Sequence, residues 1–423
     1  MSYRVTTLKM ASGERLPVLL DNAGQPLFKP TIYSLTELRA RNLASNTINQ
    51  ALRSIMVLHL FLDGVGIELD VRMREGKLLS LAEIEALTRL CRLHINQAIQ
   101  EHEPASPVSS PKVVSMEAVR MRSQQQAVPE INSDVAGTRM RYIRDYLAWL
   151  ARVQLSLHGL EQSTERRLRG EAESLVKAIN ARIPGKSRGN LTDAPEGLPE
   201  EAVAELLRVI DPHSDDNPWS HEHTRYRNEL IILWMIFLGP RRGEVLGVRV
   251  GDINFQKGTV TIHRSADDPE DPRTNSPETK TKSREIPVKQ QLLQKTHAYI
   301  LTHRRIFPEA RKHEFLFVAS RTGMPMSISA ANKLFAVLRA RCPSLPDSVR
   351  AHVLRHTWND LFSRKMDEQK VLPETEKKIR AYLMGWSDTS NTAATYTRRH
   401  IRNKAMEVSL EIQNKLVREK ETK

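Results

Sequence analysis

The chain has 423 residues, enough for two or three domains with cores of their own. Its 64 Lys and Arg against 50 Asp and Glu leave a formal charge of +14, which points to a polyanionic partner, nucleic acid before membrane. Two cysteines, Cys91 and Cys342, exclude a disulfide framework or a zinc ribbon and suit a reducing compartment.

The opening MSYRVTTLKM has no apolar signal core, and the longest apolar run, LIILWMIFL (230–238), falls far short of the ~18 residues of a membrane span. The expectation is a soluble cytoplasmic protein. Residues 1–30 read as short extended pieces, with a hairpin expected where DNAG divides the apolar runs of LPVLLDNAGQPLF. Residues 31–183 read as a helical domain. In ASNTINQALRSIMVLHLFLDG, Ser45 or Asn46 can cap a helix and Gly64 sits just past its end. SLAEIEALTRLCRLHINQAIQ opens on a capping box, Ser80 to Glu83. Residues 103–133, rich in Pro, Ser and Gln, read as a long loop. In TRMRYIRDYLAWLARVQL (138–155), Tyr142, Ile143, Tyr146, Leu147 and Leu150 form a buried stripe with arginines on the other face. A further helix is expected over about 161–182.

PGKSRGNLTDAPEG (184–197) is the linker candidate, and 198–423 forms the second domain. LPEEAVAELLRVI is a helix with Pro199 near its first position and acids in its first turn. NELIILWMIFL is apolar all round and predicts a central buried helix, ended by Gly239-Pro240. GTVTIHR (258–264) and SREIPV (283–288) predict two strands of a small sheet. Beyond them the pattern is helical apart from FLFV (315–318). The fold class is therefore mainly α with a small antiparallel β-sheet.

Four patches carry chemistry. In GPRRGEVLGVRVGDIN, Arg241 opens a helix and Glu244, one turn on, can orient it; an ordinary surface ion pair reads equally well. In ETKTKSREIPV, a lysine before a strand can sit on a hairpin tip, or merely be a solvated edge. In RAHVLRHTWN, a helix starting near Asp347 or Ser348 puts His352, Arg355 and His356 on one face. Two histidines four apart can bind zinc, but Val353 stands where the HExxH signature has glutamate, and only the acid-rich HSDDNPWSHEH (213–223), read as a solvated loop, could add ligands. His356 suits a core position. The trio suits a phosphate better, because a buried arginine needs an anion. In YLMGWSDTSNTAATYTRRH, Tyr396 lies in a polar segment and precedes Arg398, Arg399 and His400.

Taken in order, the patches resemble the tyrosine recombinase, or phage integrase, family. They read as Gly239-Pro240-Arg241-Arg242-Gly243-Glu244, then Lys280, then HVLRHT, then LMGW, then Tyr396, over about 198–410. The helical first half is similar to the family's core-binding domain in pattern and position. Trp386 stands where most members have histidine, the Trp-to-Tyr interval is one residue longer, and SADDPEDPRTNSPE enlarges the connection between the strands. Lys282 is the alternative to Lys280.

The resemblance implies a site-specific recombinase that cleaves and rejoins double-stranded DNA through a 3′-phosphotyrosyl link, with no metal or nucleotide cofactor. Tyr396 would be the nucleophile. Arg241, His352, Arg355 and Trp386 would hold the transition-state oxygens, and Lys280 would protonate the leaving 5′-oxygen, with Glu244 and His356 in support. His352 could instead accept the tyrosine proton. A DNA-bound tetramer at the bacterial nucleoid is implied as well. The helix in AMEVSLEIQNKLV (405–417), striped by Ala405, Val408, Ile412 and Leu416, would pack on its own domain or on a neighbouring subunit. Competing readings are type IB topoisomerase-like relaxation, telomere resolution, or a DNA-binding protein that has lost cleavage.

Overall fold

The computed structural model describes residues 3–102, 130–157, 159–185, 196–264, 267–277, 281–387, 405–406 and 408–413. The chain divides into two compact units: Met1–Met10 with Arg15–Arg188, and Ala11–Glu14 with Gly189–Lys423. Each is mainly helical beside a small antiparallel sheet. Among the described residues, no helix is long and apolar enough to cross a membrane.

In the first unit, β1 (Arg4–Lys9) pairs antiparallel with β2 (Arg15–Leu20), from Arg4↔Leu20 to Lys9↔Arg15. The hairpin thus lies one turn earlier than the sequence suggested. DNAG follows β2 as a turn, with Asp21 Oδ1 accepting from Gln25 N–H at 2.8 Å and a single bridge from Leu20 to Pro26. The polar RVTTLK had hidden the first strand, which is exposed along much of its length.

Short α1 (Phe28–Tyr33) leads through a wider π-type turn to α2 (Ser45–Val65). Ala44 occupies the N-cap of α2, and Gly66, not Gly64, ends it at φ 70°. After α3 (Leu69–Arg74), the Ser80–Glu83 capping box opens α4 (Leu81–Cys91) as expected, and Glu83 also takes both arms of Arg72 at 2.7 and 2.8 Å. The chain then breaks before α5 (Ile95–His102).

The expected stripe sits on α6 (Ser133–Ser156), with Ile143, Tyr146, Leu147 and Leu150 buried and Tyr142 only half-buried; Met140, not expected in it, is buried as well. One arginine departs from the outer face: Arg139 is buried and donates to Cys91 O and Leu93 O at 3.0 and 2.9 Å, satisfying carbonyls at the end of α4. α7 (Gln162–Arg182) completes this unit. Residues 103–129 and 186–195, most of the loop and linker read from the sequence, lie outside the described residues.

In the second unit, Pro199 is the N-cap of α8 (Glu200–Ile210), one position ahead of expectation. The acid-rich 213–223 stretch is not simply solvated. Asn217 and Trp219 are buried, and Asn217 Nδ2 donates to Ile210 O and Asp211 O. α9 (Glu222–Leu238) runs buried through the core and ends at Gly239, φ 67°, where α10 (Arg242–Gly247) follows.

The sheet has three strands, β3 (Ile253–Asn254), β4 (Thr259–Ile262) and β5 (Arg284–Pro287), the first not anticipated. Val260 pairs with Ile286 and Ile262 with Arg284. FLFV makes only isolated bridges, Arg249↔Phe315 and Val318↔Pro325. α11 (Gln290–Ala298), α12 (Ile328–Arg341), α13 (Ala351–Glu368) and α14 (Pro373–Met384) complete the unit, α13 beginning three residues after Ser348, the later of the two expected starts. Of the C-terminal stripe, Val408 and Ile412 are helical and exposed, and Leu416 lies outside the described residues.

Candidate active site

The site is built where helices end. At the close of α9, a Cβ on Gly239 would stand 2.7 Å from the Trp358 ring, so glycine serves both the left-handed cap and the close approach. The next turn makes Arg241 the N-cap of α10, and Glu244 Oε2 accepts its backbone N–H at 2.8 Å. The Arg241 side chain reaches outward, 44% exposed, with Nη1 3.5 Å from Glu244 Oε1.

α13 brings the second arginine to the same place. Arg355 is 4% exposed, and its Nη1 donates to Gly239 O at 2.7 Å. Its guanidinium carbon stands 5.5 Å from the centroid of the buried Trp386 ring. One turn apart on α13, exposed His352 and buried His356 stack with ring centroids 4.3 Å apart and planes 10° from parallel. Parallel faces do not aim two nitrogen lone pairs at one point, as a shared metal requires.

Glu244 binds these parts together. It is 1% exposed, yet takes Thr281 Oγ1 at 2.5 Å on Oε1, and Arg284 Nη1 and Nη2 at 3.3 and 2.8 Å. Burial pushes its carboxyl up, but the Arg284 hydrogen bonds and charge, then Thr281 and Arg355, outweigh that and hold it below its ordinary value. Arg284 also donates through Nε to Leu383 O at 2.6 Å, and Lys282 N–H donates to Gly385 O at 3.0 Å. A Cβ at Gly385 would lie 2.6 Å from Arg284 Nη1 and 2.9 Å from Thr281 Cβ. The segment just ahead of β5 and the turn after α14 are therefore packed backbone to backbone. Three guanidiniums around one carboxylate leave a positive group, suited to an anion with several oxygens.

Residues 198–402 match the family described as the phage integrase family. These residues, a little under half of the chain, are similar to that family. Over 204 residues it is 26% identical to tyrosine recombinase XerA of Pyrococcus furiosus, across 48% of this chain and 57% of the relative. Over 222 residues it is 24% identical to tyrosine recombinase XerH of Campylobacter jejuni, across 52% of this chain and 53% of the relative. These matches span little more than half the length of either relative. Among solved structures, XerH site-specific recombinase bound to palindromic difH substrate, in a post-cleavage complex, aligns at 16% identity over 87% of this chain and 97% of that one, with a TM-score of 0.43.

Within the matched residues, four of those singled out in the sequence, Arg241, Glu244, Arg355 and Trp386, meet at one place. His352 and His356 share the helix of Arg355, and Lys282 lies beside the Gly385 turn. Lys280 and Tyr396 lie outside the described residues. Sequence reasoning missed Arg284 and Thr281. Arg284 had a signal: β5 alternates buried and exposed, and Arg284 occupies the same face as buried Ile286. A charged residue in a core register asks for a partner, and Glu244 is that partner.

The enlarged strand connection is anchored as well. Asp271 and Arg273 form a buried pair at 2.7 Å, and Arg273 Nη1 donates to Leu246 O and Met326 O. The same guanidinium stands 4.6 Å from the Phe315 ring centroid.

Proposed function

We propose that this chain is a site-specific DNA recombinase that breaks and rejoins duplex DNA through a 3′-phosphotyrosyl intermediate. The Tyr396 oxygen attacks phosphorus, the P–O5′ bond breaks, and one phosphodiester is exchanged for another. Arg241, Arg355 and His352 hold the non-bridging oxygens, with Trp386 as a further contact through its indole N–H. Lys280, with Lys282 as the alternative, protonates the departing 5′-oxygen. Glu244 orients the arginines and His356 supports the helix. The observation that carries this reading is the convergence of Arg241 and Arg355 on Glu244 in a positively charged group, with Trp386 against the Arg355 guanidinium.

The names of the XerA and XerH relatives, both tyrosine recombinases, support the same class of reaction. We take residues 1–30 as an N-terminal segment, 31–183 as a DNA-gripping helical domain, 184–197 as the linker and 198–423 as the catalytic domain. The partner is duplex DNA, bound by a tetramer in the cytoplasm, with integration or excision of a mobile element as the setting. The test is covalent capture on duplex DNA drawn from the flanks of the coding sequence. A phosphotyrosyl peptide mapping to Tyr396, lost in Tyr396→Phe while binding persists, is the expected result. An adduct surviving in that variant and mapping to Tyr382 would overturn the assignment. Relaxation of supercoiled DNA without a defined site would instead mark a type IB-like activity.

A further inference from the structure

A carboxylate offers about four acceptor positions. Those of Glu244 are filled by Thr281 Oγ1 and Arg284 Nη1 on Oε1, and by Arg284 Nη2 and Arg241 backbone N–H on Oε2. Two further cations stand just outside this set. Arg241 Nη1 is 3.5 Å from Oε1, at the limit of a hydrogen bond, and Arg355 Nη1 is 3.9 Å from Oε2, beyond it. Arg284 itself, 1% exposed, is screened from solvent and from any DNA oxygen.

We propose that Arg284 is a positioning residue: by occupying Glu244, it keeps the guanidiniums of Arg241 and Arg355 available to a DNA phosphate. This rests on the strand-transfer reading above. Attraction between charges is strong in a water-poor pocket. Were Arg284 absent, two acceptor positions on Glu244 would open within reach of two arginines. One of them would close on the carboxylate, and a planar fork engaged there is lost to phosphate. Glu244 would then compete with the substrate. Arg284 prevents this while its third nitrogen, Nε, holds Leu383 O two residues ahead of Gly385. One side chain thereby sets both the charge balance of the site and the place of the turn leading to Trp386.

The test is the single-turnover rate of covalent adduct formation by the full chain on a nicked duplex from the coding-sequence flanks, with DNA binding and the melting midpoint measured alongside. Arg284→Met retains binding but forms adduct at least ~100-fold more slowly. Adding Glu244→Gln to that variant removes the competing charge and restores the rate by at least ~10-fold. A merely structural arginine gives the opposite pattern, because the second substitution only removes more hydrogen bonds. Arg284→Met at the wild-type rate, or a loss that Glu244→Gln deepens or leaves unchanged, overturns the proposal.

Should Arg284→Met not fold, Thr281→Val carries the test, since it frees an oxygen of the same carboxylate without changing charge. It slows adduct formation at least ~3-fold, and an unchanged rate counts against the proposal. A wild-type chain that forms no adduct overturns the strand-transfer reading itself, a result distinct from failure of the Arg284 variants alone.

Discussion

Glu244 Oε2 and Arg284 Nη2 lie 2.8 Å apart, with both side chains 1% exposed. Desolvation takes back most of what such a pair gains from Coulomb attraction, so its presence alone says little about stability. Its loss on one side is another matter. Arg355 leans on the same carboxylate from 3.9 Å, so the two buried guanidiniums share one counter-charge.

Removing that counter-charge is the first prediction. Glu244→Ala takes from both buried guanidiniums the carboxylate they share, and unfolding stability falls by about 3–5 kcal/mol near neutral pH. Urea titration followed by two spectroscopic probes measures this. The Glu244 carboxyl sits below its ordinary value in the folded chain, so its contribution is present above the unfolded value and lost as pH falls through the lower, folded one. The gap between wild type and variant therefore narrows below about pH 4.

Arg355→Lys keeps the charge but loses the planar fork that donates to Gly239 O while facing the Trp386 ring. Adduct formation drops by about 100-fold or more. Binding to site DNA changes much less, since phosphate contacts elsewhere dominate affinity. Comparing single-turnover rates with binding isotherms at one salt concentration checks both halves of the expectation.

The proton donor is open to a leaving-group test. An alkoxide leaves poorly without a proton, whereas a thiol, with a pKa of about 8.5, departs as the anion. Lys280→Ala cleaves ordinary DNA very slowly but recovers on DNA with sulfur at the bridging 5′ position. Lys282→Ala is affected similarly on both substrates. Rescue of Lys282→Ala alone would assign the role to Lys282, and rescue of neither would place the acid elsewhere.

Acid should weaken the first unit through His59. Burial between Tyr3 and Tyr146 pushes this imidazole down to about 4, with Asp63 opposing the shift only in part. The unfolded chain takes up the proton near pH 6.5 and the folded one only near 4, so stability falls as pH drops through that window, by roughly 3 kcal/mol in all. His59→Leu flattens this part of the profile. An unchanged slope in chemical denaturation between pH 7 and pH 4 would show that His59 is not the group responsible.

Much of this was legible in residue spacing. The apolar run of α9 announced its burial, and the interval from His352 to Arg355 to His356 announced a shared helix face. What stayed hidden depended on distant partners. Arg139 looks like a surface arginine until the end of α4 is placed beneath it, and Arg284 looks like a strand-edge charge until Glu244 comes across. Local error had a local cause too. Two glycines, Gly64 and Gly66, stand at the end of α2, and only the one at φ 70° stops the helix.

The anchored connection between β4 and β5 has a consequence for how the chain finds its fold. A long insertion would ordinarily widen the conformational search before Ile262 and Arg284 pair. Here a clasp from Arg273 to Leu246 O and Met326 O, with Asp271 beside it, divides the excursion into two shorter loops. Closure entropy grows slowly with length, by about 0.6 kcal/mol per doubling, so the clasp adds little equilibrium stability through entropy alone. It does leave fewer ways to misregister β4 against β5. Trimming the insertion to a tight turn would strip Leu246 O and Met326 O of their Arg273 donor. The shorter chain would then trade a solved search problem for two unsatisfied carbonyls.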